Sequence, residues 1–526
     1  MFYKRPPLPP FIKYRLAGIC AVVALVSGCS LSPLQTRSDS QFISPAEAQD
    51  TTLGRALQPL ADAHPGLSGI RALPDAHNAF AVRGLLTRAA EKSLDVQYYI
   101  WRNDTTGMLL LQNLQNAADR GVRVRLLLDD NGISKKLDKD LALLNTHPNF
   151  EVRLFNPFVW RSPKTLNYLT DFHRLNHRMH NKSFTVDNMA TVVGGRNIGD
   201  EYFGATDQVL FADLDVLAFG EVVQSVSADF DKYWSSPMAY PIDQIVTLRA
   251  TDKIDNLDLT ENLKNNPERT KTYLEILAQT DIIQELLDQS LAVEWVKTDM
   301  VSDDPSKIEG KASKEQMLTH QLNRVVGSPK TQVDLVSPYF VPTKTGVQGF
   351  QELLDNPNMK VRVLTNSYEA TDVAAVHAGY MKRRKDLIKA GMEVYELKAQ
   401  SSGNLKRRGK TPFGSSGSSL HAKTFAIDKA RVFIGSFNFD PRSANLNTEL
   451  GFVIHSPTLA KDISNIFDDQ VPYSSYQVIL DKNKKEVWLE REEDGSVKSH
   501  TTEPGTSLFS RWWVIFMSKL PIEWML

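Results

Sequence analysis

Cysteine is almost absent from this sequence. Its 526 residues include two, Cys20 and Cys29, and both lie near the N-terminus. The folded part of the chain therefore has no cysteine pair for a disulfide and no cysteine cluster for a metal. It must be held together by packed cores, and a hydrophobic content of 42% is sufficient for that.

Long apolar runs and an excess of either charge are also lacking. The run from Leu16 to Val26 is interrupted by Gly18 and is too short to span a bilayer comfortably. The chain has 61 basic and 62 acidic residues, a net charge of −1, which becomes −5 without the four cations of the first 28 residues. A nucleic-acid-binding protein would need a basic footprint, so we expect no nucleic-acid partner.

The first 28 residues are typical of a secretory signal, with basic residues, no acid, a short apolar run and small residues at the end. The segment Leu25-Val26-Ser27-Gly28-Cys29 resembles a bacterial lipoprotein cleavage box, which implies lipid attachment at Cys29. We therefore expect an exported protein, anchored by lipid to the inner or outer bacterial membrane and facing the periplasm. A simple signal or anchor with a chance cysteine is the alternative.

An internal duplication is the most informative property of the remaining chain. In the first half, strand-like LDVQYYIW (94–101) and VRVRLLL (122–128) flank an amphipathic helix. The second half repeats this order with VDLVSPYF (333–340), a helix and VRVL (361–364). Strands that alternate with helices predict an α/β fold, with a mainly parallel mixed sheet flanked by helices in each half.

Each half also contains one copy of the motif His-x-Lys-x-x-x-x-Asp. The two copies consist of His180, Lys182 and Asp187, and of His421, Lys423 and Asp428. An aspartate precedes each histidine, by 85 and 87 residues, and an asparagine follows it by 17 in a Gly-rich turn: Asp95, Asn197, Asp334 and Asn438. A single His-x-Lys pair is usually a surface or core histidine, but matched duplication favours a functional site.

These residue types fit phosphodiester exchange, which needs a nucleophile, a general acid for the leaving alkoxide and groups that bind the non-bridging oxygens. On a strand, a histidine and a lysine two residues apart share a face, so each half offers an imidazole beside a cation. We expect one imidazole to attack phosphorus and the other to protonate the leaving oxygen. The phosphate oxygens would be held by Lys182, Lys423, Asn197 and Asn438.

Nearby carboxylates are predicted to orient the imidazoles, because an acid that accepts a proton from one ring nitrogen fixes the tautomer and direction of the ring. The candidates, with no acid assigned to either histidine, are Asp187, Asp213, Asp428 and Glu449. Two histidines and two lysines without clustered thiolates or carboxylates make a poor site for a hard cation. We therefore expect neither a metal ion nor a cofactor.

With these residues the chain resembles the phospholipase D superfamily, whose motif is the duplicated His-Lys-Asp signature. Longer stretches from about residue 67 onward are similar to bacterial cardiolipin synthases, among them RMHNKSFTVD (178–187), VGGRNIGDEYFGA (193–205) and SSLHAKTFAIDKARVFIGSFNFDPRSANLNTELG (418–451). The resemblance implies two pseudo-symmetric phospholipase D-like α/β domains with one shared active site. It also implies that His180 is the nucleophile, which becomes a phosphohistidine, and that His421 is the acid and base.

The same resemblance implies transfer of a phosphatidyl group, from phosphatidylethanolamine or phosphatidylglycerol, to phosphatidylglycerol in a bacterial membrane. The alternative is a phospholipase D that passes this group to water and releases phosphatidic acid and the free headgroup. An exported nuclease is disfavoured by the charge of −5, and a non-catalytic binding module by the intact histidine and lysine in both halves.

We predict six segments along the chain: a signal (1–28), a polar tether (29–65), a first phospholipase D-like domain (66–242), a charged helical connection (243–291), a second such domain (292–475) and a C-terminal extension (476–526). The extension ends in a tryptophan-rich stretch that either packs on the second domain or touches a membrane.

Overall fold

The computed structural model describes residues 31–526 apart from 207–210, 265–266, 283–284, 286–289 and 400–418. The predicted signal and the predicted lipid attachment at Cys29 lie outside the described residues. Within the described ranges, no helix is both long enough and apolar enough to cross a membrane.

Each half is built on one large sheet. The strands are β1 Ser68–Leu73, β2 Ser93–Tyr98, β3 Arg123–Asp129, β4 Phe150–Phe155, β5 Ser183–Val186, β6 Ala190–Gly194, β7 Phe211–Ala212, β8 Asp215–Gly220, β9 Ala239–Pro241, β10 Glu294–Val296, β11 Thr298–Ser302, β12 Gln332–Val336, β13 Lys360–Asn366, β14 Glu393–Leu397, β15 Ser419–Leu420, β16 Thr424–Ile427, β17 Arg431–Gly435, β18 Leu450–Ile454, β19 Ser475–Leu480, β20 Glu486–Arg491 and β21 Val497–His500. The first sheet has the order β10-β1-β8-β6-β5-β2-β3-β4-β9 and the second β11-β18-β17-β16-β12-β13-β14-β19-β20-β21.

Helices cover both sheets. Their bounds are Pro45–Gln49, Thr52–Asp62, Ala76–Ala89, Thr105–Asp119, Lys135–Leu144, Tyr168–Leu175, Asp200–Phe203, Glu221–Trp234, Glu261–Lys264, Pro267–Ala278, Leu318–Val326, Thr343–Leu354, Ala374–Lys389, Pro441–Asn445, Pro457–Asp469, Val471–Ser474 and Leu508–Ser518. Local signals set their starts; Asp104, for example, caps the backbone N–H of Gly107 at the first turn of Thr105–Asp119.

The predicted mixed sheets are confirmed, but the expectation that they are mainly parallel is wrong. Parallel pairing occurs in the triplets β2-β3-β4 and β12-β13-β14, where helices connect successive strands. The neighbouring strands in both large sheets are antiparallel. Tight turns join β5 to β6 and β16 to β17, and a tight turn reverses the chain direction, so these two pairs are necessarily antiparallel.

The duplication extends to buried ion pairs. Arg125 on β3 places its Nε 2.6 Å from the carboxylate of Asp95 on β2, and Arg362 on β13 is at the same distance from Asp334 on β12. All four side chains are buried. The aspartates at matched distances from the motif histidines therefore hold the same two central strands together in each half.

Two predicted boundaries differ from the sheets. β10 lies beyond residue 292, yet it pairs with β1, so the first sheet extends past the predicted start of the second domain. The predicted C-terminal extension supplies β20 and β21, which continue the second sheet from β19. Strand pairing decides which sheet β10, β20 and β21 belong to, and the charge and composition of these segments did not reveal that pairing.

The described part of the predicted tether packs on the first half. Arg125 donates to the backbone carbonyl of Ser40, Arg153 to that of Ser38, and Arg37 to those of Ser236 and Ala239. The buried Arg125 and Arg153 thus use backbone oxygens of this polar stretch as hydrogen-bond acceptors. Further along the stretch, Ile43 and Ala48 are buried and Leu53 and Leu57 pack beside them, so apolar contacts also hold it on the first half.

The two halves share one hydrophobic core. Apolar residues of β6 and β8, among them Val193 and Val216, pack with residues of β17 and β18 such as Ile434 and Phe452. A short two-stranded sheet also joins the halves, because β7 pairs in parallel with β15. This interface sets the position of one motif relative to the other.

Candidate active site

Both histidines lie in extended segments that bridge the halves. His180 precedes β5 and donates its backbone N–H to the carbonyl oxygen of Thr448 in the second half at 2.9 Å. His421 precedes β16 and donates to Ala212 in the first half at 2.8 Å. The motifs were predicted to lie on strands, whereas the strands begin one residue after each lysine.

Each imidazole is paired with an acid from the opposite half. Nδ1 of His180 lies 2.8 Å from Oε2 of Glu449, and Nδ1 of His421 lies 2.6 Å from Oδ2 of Asp213. Both acids are fully buried. A neutral imidazole that donates Nδ1–H to its acid has its lone pair on Nε2, so the crossed pairs give each ring the same direction and tautomer.

The residue before each histidine donates its backbone N–H to a side chain at the carboxyl end of a central strand. Asp129 at the end of β3 accepts the backbone N–H of Met179 at 2.8 Å. Asn366 at the end of β13 accepts the N–H of Leu420 at 2.9 Å. The parallel triplets therefore position both histidine segments through polar side chains at their carboxyl ends.

The motif lysines are buried beside the histidines. Nζ of Lys182 and of Lys423 each donate to the carbonyl oxygen of the histidine two residues earlier at 2.5 Å. Burial lowers the pKa of Lys182 to about 7 and that of Lys423 to about 8, although nearby carboxylates oppose the shift. Burial and the two ammonium charges hold the pKa of His180 well below its ordinary value.

The two acids differ in their electrostatics. Burial raises the pKa of Glu449 to about 7, against the opposing charge of Lys182. Burial also acts upward on the pKa of Asp213, but the charge and hydrogen bond of His421 outweigh it and lower that pKa to about 2. Burial lowers the pKa of His421, and Asp213 opposes this. His421 therefore has the more firmly ionised partner.

A cavity of about 920 Å³ opens over the two imidazoles. The ring of Tyr99 packs edge-on to His180 at 5.0 Å between centroids, and that of Tyr202 packs in the same way on His421 at 5.1 Å. Arg442 also lines the cavity and adds a cation to its wall. In the part of the chain that the structure describes, no group of three histidine, cysteine or acidic side chains could hold a metal ion.

The two asparagines predicted to bind phosphate have different surroundings. Asn197 lines the cavity, where its side chain accepts the N–H of Ile100 and donates to the hydroxyl of Tyr202. Asn438 is buried, and its Oδ1 has no hydrogen-bond partner among the described residues. Its backbone N–H donates to the hydroxyl of Ser443.

The structure does not bring the motif aspartates to the imidazoles. Asp187 accepts the backbone N–H groups of three successive residues at 2.8–2.9 Å, and Asp428 accepts three at 2.8–3.1 Å at the start of β12; the donors are Glu91, Lys92, Ser93, Lys330, Thr331 and Gln332. Both aspartates lie in the tight turn that follows their strand and have positive φ values of 49° and 53°. The turn points each carboxylate back at the backbone, away from the histidine.

Comparison with known families agrees with this duplicated site. The family described as "Cardiolipin synthase, PLD-like domain" matches residues 85–234 and 322–471. Each half therefore contains one copy of the domain, with one copy of the His-x-Lys motif in it. The chain belongs to the cardiolipin synthase, PLD-like domain family.

Relatives in this family match most of the chain. Cardiolipin synthase C of Escherichia coli (strain K12) is 48% identical over 476 residues, which cover 90% of this chain and 99% of the relative. An uncharacterized protein of Helicobacter pylori (strain ATCC 700392 / 26695) is 33% identical over 85% of this chain and 88% of its own length. The crystal structure of a phosphatidylserine synthase from Haemophilus influenzae Rd KW20 has the same fold, with a TM-score of 0.54 at 15% identity, over 90% of this chain and 100% of that one.

Five positioning or cavity residues of this cardiolipin synthase, PLD-like domain protein were not selected from sequence: Tyr99, Asp129, Tyr202, Asn366 and Arg442. Three of them lie at or just after the carboxyl end of a buried strand, β2, β3 or β13. A polar residue at the end of an apolar parallel strand was the available signal, because ligands bind outside that edge of such sheets.

Asp428→Ala is expected to lower the free energy of unfolding by about 1–2 kcal/mol, as loss of a helix N-cap does, because three N–H groups near the surface lose their acceptor. The kcat of the folded enzyme should be unchanged, since the carboxylate touches neither imidazole. Urea denaturation together with steady-state kinetics tests this. A large fall in kcat at unaltered stability would give Asp428 a direct role in the reaction.

Proposed function

We propose that this chain is a phosphatidyltransferase that makes cardiolipin. It would transfer a phosphatidyl group from phosphatidylethanolamine or phosphatidylglycerol to a hydroxyl of phosphatidylglycerol, through a phosphohistidine. The observation that carries the proposal is the crossed arrangement, in which two imidazoles over one cavity are each oriented by an acid from the other half. The name of the relative from Escherichia coli supports cardiolipin as the product.

In the first step, Nε2 of His180 attacks the phosphorus of the donor. A nitrogen–phosphorus bond forms, the bond from phosphorus to the headgroup oxygen breaks, and His421 protonates that oxygen as it leaves. Lys182 and Lys423 place positive charge beside both imidazoles, where it can stabilise the non-bridging oxygens as charge develops in the transition state.

In the second step, the reactions of the two histidines reverse. His421, now neutral, takes the proton of the acceptor hydroxyl, whose oxygen attacks phosphorus and displaces His180. The electrostatics support these roles, because a nucleophile must be neutral and the pKa of His180 is held well below its ordinary value. The general acid must hold a proton, and His421 is the better placed of the two: burial lowers the pKa of both histidines, but the ionised Asp213 opposes this shift at His421.

The proposal includes export, lipid attachment at Cys29 and an active site that faces the periplasm. Its support is the N-terminal sequence, in which a basic and apolar signal is followed by Ser27-Gly28-Cys29. An anchor at the membrane surface would keep the enzyme where its phospholipid substrates are.

Incubation of the purified enzyme with vesicles of phosphatidylethanolamine and phosphatidylglycerol should yield cardiolipin and ethanolamine. Vesicles of phosphatidylglycerol alone should yield cardiolipin and glycerol if that lipid is also a donor. Mass spectrometry of the extracted lipids detects cardiolipin and phosphatidic acid, and assay of ethanolamine and glycerol in the aqueous phase identifies the donor. Accumulation of phosphatidic acid without cardiolipin would overturn the synthase and support the hydrolase.

A further inference from the structure

An apolar surface of the second half lies beside the catalytic cavity. The helix Leu508–Ser518 is seated on the helix Ala374–Lys389 by one buried residue, Val514. Six of its other large apolar side chains are at least 43% exposed: Leu508, Phe509, Trp512, Trp513, Ile515 and Phe516. A soluble surface helix normally turns its polar face outward, so this helix has the reverse polarity.

A second apolar surface belongs to the first half. In and next to the helix Tyr168–Leu175, four large apolar side chains are exposed, with Leu169 at 82%: Trp160, Leu166, Leu169 and Phe172. This segment also reaches the site. The hydroxyl of Tyr168 bonds to Asn131, and Asn131 bonds to the hydroxyl of Tyr99, the tyrosine that packs on His180.

Arg442 connects the two surfaces at the edge of the cavity. Its guanidinium donates to the backbone and side-chain oxygens of Asn176, the residue that ends the helix Tyr168–Leu175. On its other side it donates to the carbonyl oxygen of Met525, seven residues beyond the exposed helix. Arg442 and Met525 both line the cavity, so the wall of the cavity is joined to the chain next to each apolar segment.

We propose that these two segments, 160–172 and 508–516, form a bilayer-docking surface that holds the cavity entrance against the membrane. The inference rests on the proposed function. Tryptophan and phenylalanine beside scattered cations are the residues of interfacial helices. A protein partner that covered both segments would block the site, whereas a bilayer in the same place supplies the phospholipids that enter it.

The test uses the full chain on vesicles that contain brominated phospholipids, which quench tryptophans inserted among them. The wild-type protein is expected to be quenched. The variant Leu508→Ser/Phe509→Ser/Phe516→Ser keeps every tryptophan but removes apolar area, so quenching should fall clearly below that of the wild type and activity on vesicle lipids should fall about 30-fold. Activity on dissolved short-chain phospholipids should be unchanged. Thermal unfolding should match the wild type, because all three side chains are exposed.

Leu274→Ser/Ile276→Ser is the matched control, since both side chains are exposed on the helix Pro267–Ala278 and neither lines the cavity. It should retain quenching and activity on vesicles. Unaltered quenching in the triple variant would overturn the docking surface. So would a wild-type dimer that the triple variant converts to a monomer, because a second copy would then cover the surface. If the wild type is quenched yet transfers no phosphatidyl group from either substrate form, the proposed function fails and the docking surface stands.

Discussion

His180→Ala is expected to lower the rate of phosphatidyl transfer at least about 10⁴-fold, because the remaining imidazole, His421, cannot act as nucleophile and general acid in the same step. His421→Ala should be equally inactive on natural phospholipids, since the leaving alkoxide would depart without a proton. Natural substrates therefore do not separate the two roles. A phosphatidyl ester of p-nitrophenol does, because p-nitrophenolate leaves without an acid.

With this ester, His421→Ala should release about one equivalent of p-nitrophenol per enzyme and then stop, since the second step lacks its base. A phosphatidyl adduct should be found on His180 by mass spectrometry. His180→Ala should release none. A burst in His180→Ala but not in His421→Ala would exchange the roles, and the absence of a burst in both would exclude the covalent intermediate. Both variants should first be matched to the wild type in thermal unfolding, because the two rings are mostly buried.

Arg384→Ala is expected to destabilise the protein by about 3–5 kcal/mol, the cost of leaving buried charges without a partner. Its guanidinium is 1% exposed and lies 2.8 Å from both Glu396 and Glu503. It also contacts Glu486 and covers the ring of Trp488 at 4.7 Å. Removal of this one cation leaves several carboxylates facing one another in the interior.

Arg383→Ala is the matched control. Arg383 is the preceding residue on the same helix and pairs with Glu523, but its side chain is 19% exposed. Its loss should cost about 1 kcal/mol or less. Urea denaturation of the two variants gives both values. Equal destabilisation by the two substitutions would mean that the buried cluster around Arg384 adds no more stability than a surface ion pair.

The duplication and most members of the site could be predicted from sequence because they depend on spacing within one half. The aspartates 85 and 87 residues before the histidines indeed occupy equivalent strands. The pairing of Glu449 with His180 could not be predicted, because it depends on how the two halves dock. The prediction that Asp187 orients an imidazole was wrong for a local reason. The tight turn after β5 directs its carboxylate at the backbone, and the sequence pattern of a strand does not show such a turn.

The strand directions and the segment boundaries also divide into features set by local sequence, which could be predicted, and features set by distant contacts, which could not. Alternating strands and helices correctly indicated the parallel triplets, but short strands such as β9 and β10 carry too few residues to show a period. Their place is decided by pairing partners far away in sequence. In the 31–65 segment, backbone oxygens of Ser38 and Ser40 bind buried arginines, and backbone acceptors are the same in every sequence. The helix Thr52–Asp62 of the same segment is held by apolar contacts of Leu53 and Leu57, which the prediction of a polar tether missed.

The crossed histidine–acid pairs also restrict how the sequence of this chain can evolve. A shift in the register of one half moves the acid that serves the histidine of the other half, so an alteration in either half damages both steps of the reaction. The two halves can therefore not diverge as independent domains, and recombination that exchanges one half for that of a distant relative must preserve the contact surface between them. Selection acts on the pair as one inherited unit.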